Sequence, residues 1–269
     1  MSGEDTGVAI VTGAASGIGA AISGLLADRG WRVAGLDLEP CETELSLQVD
    51  VTDRNAVREA VERVAGELGP VSLLVTAAGT YEMVPFAEIE TDRWRRMLAV
   101  HLGGVVNACW AVLPGMLAAK SGLIVTISSE LALAGGSGDA HYAAAKGAII
   151  GFTRSLAIEL ASLGIRVNSV APGPTDTPLL VADSPWRAPD YLETLPLRRL
   201  VRPEEVAQTV GLLVEEGGYF TGQTLSPNAG AVILWRGASR TSSRSSAAPA
   251  RASAMRSRGA WPPRERAWR

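Results

Sequence analysis

Apolar residues along this chain follow two rhythms in turn. Short, largely apolar runs at Val8 to Val11, Arg32 to Leu36, Val71 to Val75, Leu123 to Ile127 and Ile165 to Val170 predict strands buried on both faces. Between them the spacing becomes helical. Ile18, Ala21, Ile22, Leu25 and Leu26 fall at i, i+3, i+4, i+7 and i+8, and Gly30 closes that run as a C-terminal stop. Further helices are predicted over Arg54 to Leu68, Asp92 to Leu117, and from Tyr142 to about Leu163. Strands alternating with helices predict an α/β fold, a single-domain doubly wound parallel sheet over residues 1–235, with its ligand crevice at the carboxyl ends of the strands. Only about a dozen residues separate Asp37 from the strand leading to Asp50, too few for a full crossover helix, so a short turn or one helical turn is predicted there.

Composition adds a boundary. Residues 236–269 hold nine arginines against one glutamate, with many serines and alanines and no apolar periodicity; they predict a disordered tail of formal charge +8 beside −11 for the rest. Such a block can touch nucleic acid, an acidic surface or membrane lipid, or be an extension without a role. Because the fold is complete before it, the second reading is preferred, with no nucleic-acid and no membrane partner. Cys41 and Cys109 stand far apart without metal-ligand spacing, so neither a disulfide framework nor a metal site is expected. No signal-peptide pattern opens the chain and no apolar stretch is read as reaching membrane-spanning length, so the expectation is a soluble cytoplasmic protein.

Candidate chemistry begins where the first strand meets the first helix, at Thr12-Gly13-Ala14-Ala15-Ser16-Gly17-Ile18-Gly19. A strand, a glycine-rich turn and a helix N-terminus together present backbone N–H groups to a dinucleotide pyrophosphate, although a glycine triplet alone is also what a flexible loop contains. Asp37 ends the next strand eighteen residues after Gly19, where an acid binds the adenosine ribose hydroxyls. The weaker alternative is an ordinary strand-end carboxylate. In the ribose role, Asp37 would face the roughly two negative charges of the NADP 2′-phosphate, a repulsion of several kcal/mol at about 5 Å before screening. No lysine or arginine lies in the turn or directly after Asp37 to compensate, so NAD is the expected cofactor.

Tyr142 and Lys146 are four residues apart, one helical turn, and Ser129 lies thirteen residues before the tyrosine. An ammonium about 4 Å from the phenol, at an effective dielectric near 20, is worth roughly 4 kcal/mol, or about three pKa units. That would bring the tyrosine from about 10 toward about 7, suited to acid/base work. Ser128 and Ser129 end a strand, where hydroxyls often only satisfy backbone groups; the spacing to Tyr142 favours catalysis for Ser129.

With these features in order, the chain resembles the short-chain dehydrogenases/reductases over about residues 7 to 235. The likeness is carried by Thr12 to Gly19, Asp37, Asp50-Val51, Ala78-Gly79, Ser129, Tyr142, Lys146, Asn168, Pro172-Gly173 and Thr177. It implies a Rossmann-type fold whose cofactor lies on Gly13, Ser16, Gly17, Ile18, Gly19, Asp37, Ala78 and Gly79, with Asp50 and Val51 at the adenine and Pro172, Gly173 and Thr177 near the nicotinamide. The same resemblance makes Tyr142 the acid/base, Lys146 the ligand of the nicotinamide ribose that lowers the tyrosine pKa, and Ser129 the partner of the reacting oxygen. A secondary alcohol or ketone is the implied substrate. Homo-oligomers, tetramers or dimers, are implied through the helices over Asp92 to Leu117 and Tyr142 to Leu163, where Trp110 and Phe152 are contacts or core.

Several positions depart from the family pattern. His101 stands where many members have an asparagine that links the lysine to solvent through a water; it reads as a hydrogen-bonded structural residue or as a relay imidazole. Thr76-Ala77-Ala78-Gly79 lacks two asparagines, an effect expected on stability, and Pro227-Asn228-Ala229-Gly230 replaces Val-Asp-Gly-Gly, with Pro227 suited to a sheet edge. Residues 176–203, rich in proline and large apolar side chains, read as a substrate lid with Trp186 and Tyr191 as wall residues, or as a surface loop that packs locally. Glu82, Met83 and His141 approach the pocket by family position. Two other functions stay open, a 3-oxoacyl-thioester reductase and a catalytically silent dinucleotide-binding module.

Overall fold

The computed structural model describes residues 7–233; the proposed Arg-rich tail lies outside the described residues. Every apolar run singled out above forms a strand. In chain order the strands are β1 (Val8–Thr12), β2 (Arg32–Asp37), β3 (Leu45–Gln48), which leads to Asp50, β4 (Val71–Thr76), β5 (Gly122–Ile127) and β6 (Ile165–Val170), joined at one edge by the short β7 (Thr224–Leu225). All pair in parallel in the order β3-β2-β1-β4-β5-β6-β7. Because successive strand residues point to opposite faces, Val8 and Ile10 enter one core layer while Ala9 and Val11 enter the other. Helices α2 (Arg54–Glu67), α4 (Gly104–Ala119) and α6 (Ala140–Leu160) cover the first face through Val57, Val112 and Ile149; α1 (Gly17–Asp28) and α8 (Pro203–Glu215) cover the second through Ile22 and Val210, and the short α5 (Leu131–Ala134) and α7 (Pro189–Thr194) follow β5 and β6. The expected doubly wound α/β fold is the one formed.

Three local features differ from the sequence expectation or refine it. First, residues 38–44 link β2 to β3 without a helix. The link lies flat on the sheet: Thr43 Oγ1 accepts the Gly35 N–H at 3.2 Å, and a Cβ on Gly35 would come 2.7 Å from Cys41 Cβ. Second, the single long helix predicted from Asp92 is α3 (Thr91–Leu98), a π-helical segment Ala99–Gly103, and α4. His101 sits at the centre of the widened turn, and such turns are common at functional sites. Third, α8 has no counterpart in the sequence expectation, although Pro203 in its first turn and the Glu205 carboxylate on the Arg202 N–H at 2.9 Å are ordinary start signals.

The helical run Thr91–Ala119 is, by length and composition alone, long and apolar enough to cross a membrane, which corrects the expectation that no stretch is. Here it lies against the sheet, with Val105, Cys109, Val112 and Met116 in the core.

Candidate active site

The carboxyl ends of β1, β2, β4, β5 and β6 meet along one crevice. At its floor Gly13 adopts φ +71°, and a Cβ there would lie 2.6 Å from Ala78 Cα; a Cβ on Gly19 would overlap the Gly13 carbonyl oxygen. Only glycine allows so tight a turn. Gly17, at φ +55°, brings the turn to Thr177, 3.2 Å from where its Cβ would be, and Ser16 is the exposed N-cap of α1 with its hydroxyl uncommitted to capping. The Asp37 carboxylate accepts the Ala15 N–H at 3.0 Å and the Glu39 N–H at 3.2 Å, which fixes it against the glycine turn. These glycines, the α1 N-terminus and Asp37 fit a dinucleotide: the N–H groups suit a pyrophosphate and the acid suits ribose hydroxyls.

Asp50 and Val51 follow β3. Asp50 Oδ1 accepts the N–H and hydroxyl of Thr52, both at 2.8 Å, and remains exposed, while buried Val51 packs into the space left by Gly104. Asn107, which sequence reasoning passed over, donates to the Val51 carbonyl at 2.9 Å and ties this loop to α4. An amide in an otherwise apolar helix was its only signal.

Further along, Ser129, Tyr142 and Lys146 line one pocket together with Ile18, Gly79, Pro172, Gly173 and Thr177. The Ser128 hydroxyl donates to the Lys146 carbonyl at 2.8 Å, pinning α6 to the end of β5. Lys146, 4 % exposed, donates from Nζ to the Ile127 carbonyl at 2.9 Å, and Nζ stands 5.7 Å from the centre of the Tyr142 ring. Burial holds this amine down to about 7.

Tyr142 does not behave as the helical spacing suggested. Its phenol is raised above the ordinary value, first by burial and then by the nearby Glu130 carboxylate, with Ser129 opposing. The expected depression fails because it treated the pair as isolated: Lys146 is itself desolvated, and Glu130 brings a negative charge that the spacing could not reveal. Glu130 is buried at 6 % exposure, lines the pocket and accepts the Ser129 hydroxyl at 2.9 Å. Its position directly after Ser129 at a strand end was the available signal.

His101 is 1 % exposed. Its Nε2 lies 2.8 Å from the Thr80 carbonyl oxygen and its ring meets Tyr142 edge to face with centroids 5.3 Å apart. Burial, then the Lys146 ammonium, push it down to about 3, so it is a neutral imidazole whose Nε2–H donates to Thr80. The ring is hydrogen-bonded at Thr80 and also lines the pocket beside Tyr142. The ring fits because Gly79 has no Cβ, which would come 2.5 Å from Cε1.

Residues 176–203 fold over the pocket mouth. Val201 donates to Pro174 and Asp176 to Val201, each at 2.9 Å, closing the base, and Arg187 pairs with Asp176 at 2.7 Å. Leu179, Leu180 and Trp186 line the pocket; Tyr191 stands behind Trp186 with ring centroids 4.8 Å apart. Trp186 Nε1 donates to the Tyr81 hydroxyl at 2.8 Å, which donates to Asp139 at 2.9 Å. Glu82, Met83 and His141 are not in the pocket wall: Glu82 and buried His141 bond each other at 3.2 Å, and Met83 faces out. Pro227 lies just beyond β7, its carbonyl accepting the Gly173 N–H at 3.0 Å.

The family model described as short chain dehydrogenase matches residues 7–188. A cis-4-hydroxycyclohexanecarboxylate dehydrogenase of Sinomonas cyclohexanicum is 39 % identical over 226 residues, 79 % of this chain and 91 % of that protein. A 3-oxoacyl-acyl-carrier-protein reductase of Thermotoga maritima is 35 % identical over 240 residues, 84 % of this chain and 98 % of that one. Among solved structures, the ligand-free aldohexose dehydrogenase of Thermoplasma acidophilum superposes with a TM-score of 0.78 at 32 % identity, covering 83 % of this chain and 92 % of its own.

Proposed function

The chain belongs to the short-chain dehydrogenase family, and on that footing we propose that it moves a hydride between NAD(H) and a secondary alcohol or ketone, with Tyr142 as acid/base. Membership makes it an oxidoreductase of CH–OH or carbonyl groups that takes a nicotinamide dinucleotide. The observation that carries the finer reading is the convergence of Ser129, Tyr142 and Lys146 in one pocket that is continuous with Ile18 of the glycine turn. The same assembly argues for turnover over a silent binding module.

The nicotinamide supplies the hydride acceptor or donor. Gly13, Ser16, Gly17, Ile18, Gly19, Ala78 and Gly79 would hold the dinucleotide, with Asp50 and Val51 at the adenine and Pro172, Gly173 and Thr177 at the nicotinamide end. Asp37 supports NAD over NADP, since its carboxylate and the lysine- and arginine-free link 38–44 offer nothing to a 2′-phosphate. Tyr142 exchanges the proton of the reacting oxygen, which Ser129 steadies by a hydrogen bond, and Lys146 supplies positive charge beneath the ring. In the resting site the raised phenol keeps its proton, ready to give it to a carbonyl oxygen; oxidation of an alcohol first requires the phenol to ionise. The similarity to 3-oxoacyl-acyl-carrier-protein reductases favours a thioester reductase as the second reading, against which Asp37 weighs if such chemistry draws on NADPH. The half-exposed Trp110, with Leu117 and Ile158 on the outer faces of α4 and α6, supports a homo-oligomer, which sedimentation would show.

A screen of secondary alcohols and ketones, following NADH absorbance at several pH values with NAD and NADP in parallel, tests the reading. Turnover with NAD and its absence in Tyr142→Phe is the expected result; no turnover with any alcohol or ketone overturns it.

A further inference from the structure

Glu130 is the buried acid that the proposed chemistry leaves without a task. A serine hydroxyl carries one proton and two lone pairs. In Ser129 the proton goes to Glu130 Oε2 at 2.9 Å, and a lone pair accepts the Leu131 N–H at 3.1 Å. As long as that proton stays on Glu130, Ser129 has none to offer a reacting oxygen. Burying a carboxyl at 6 % exposure is costly, and burial pushes it up to about 7. The other nearby acid, Asp139, holds the Tyr81 hydroxyl and itself stands outside the pocket wall. Glu130 is thus the carboxyl that a substrate meets, in a pocket whose apolar wall includes Ile18, Leu131, Leu179 and Leu180.

We propose that Glu130 binds a second hydroxyl of the substrate, next to the reacting carbinol, so that the substrate is a vicinal diol of polyol type or the matching hydroxy ketone. The inference rests on the reading of Ser129 and Tyr142 given above. The two oxygens of a gauche vicinal diol stand roughly one hydrogen-bond length apart, as do Ser129 Oγ and Glu130 Oε2. With one oxygen at Ser129, the other reaches the carboxyl. Its proton replaces that of Ser129 on Glu130, and the serine hydroxyl is free to turn toward the reacting oxygen. The apolar wall accommodates the carbon skeleton.

The test compares cis- and trans-cyclohexane-1,2-diol with cyclohexanol in wild type, Glu130→Gln and Glu130→Leu, reading the ratio of kcat/KM. Wild type should favour a diol at least roughly tenfold, and the ratio should collapse to within about twofold in Glu130→Leu, with Glu130→Gln between them. NAD titration of each variant checks that it has folded. An unchanged ratio in the variants or no diol preference in wild type overturns the proposal. If no alcohol turns over, the oxidoreductase reading fails by itself, and diol binding measured by calorimetry in the presence of NAD then decides about Glu130. Diol binding about tenfold weaker in Glu130→Leu supports the site; equal binding sinks it.

Discussion

Lys146 Nζ stands 5.7 Å from the centre of the Tyr142 ring while giving its hydrogen bond to the Ile127 carbonyl at 2.9 Å. The cation therefore lies under the ring, and its first partner is backbone. Because burial holds the folded amine at about 7 against 10.5 unfolded, the unfolded chain binds more protons between those values, and stability rises with pH across that window. Lys146→Met has no such proton. Its stability should be flatter from pH 7 to 10, equal to or above wild type at pH 7, while turnover falls at least about a hundredfold. Denaturant melts and initial rates check both; a steeper pH dependence in the variant would contradict the burial argument.

Tyr142→Phe removes the exchanging proton and leaves the ring contacts with His101 and Tyr81 in place. Turnover should drop by at least roughly a hundredfold, with NAD affinity within about twofold of wild type. Retained turnover would move the acid/base elsewhere.

His101 carries a stability signature on the acid side. Its folded value of about 3 against 6.5 unfolded means the unfolded chain binds the extra proton in between, so stability falls as pH drops from 6.5 toward 3. His101→Asn, which has no group that titrates in this window, should lose less stability over that range. Thermal melts at pH 7 and pH 4.5 measure it, and parallel declines in the two proteins would refute the assignment.

Asp37 is held by two backbone N–H groups at the end of the glycine turn. Wild type should favour NAD over NADP by at least roughly tenfold, and Asp37→Ser should narrow that ratio by relieving the repulsion. Equal efficiency with both cofactors in wild type would refute the NAD assignment.

Gly13→Ala places a Cβ 2.6 Å from Ala78 Cα at a φ of +71°. A loss of about 1–3 kcal/mol of stability and a clear loss of NAD affinity are expected, read by melts and by cofactor titration. An alanine that binds NAD as glycine does would mean the cradle is looser than it is here.

Much of this molecule was legible before folding because its signals are local. The apolar runs of β1, β2, β4, β5 and β6, the glycine turn, the helical offset of Tyr142 and Lys146, and the short helix-free link before β3 each follow from residues a few positions apart. What depends on distances through space was not. The proton affinity of Tyr142 is set by burial and by Glu130, whose carboxyl comes to the pocket only when β5 is packed under α6. The widened turn at His101 and the bond from Trp186 to Tyr81, 105 positions apart in the chain, likewise required the fold. Residue order specifies which chemical groups exist and along which elements they run; their charges and partners are set by packing, because desolvation and Coulomb energy depend on what surrounds a group and not on its place in the chain.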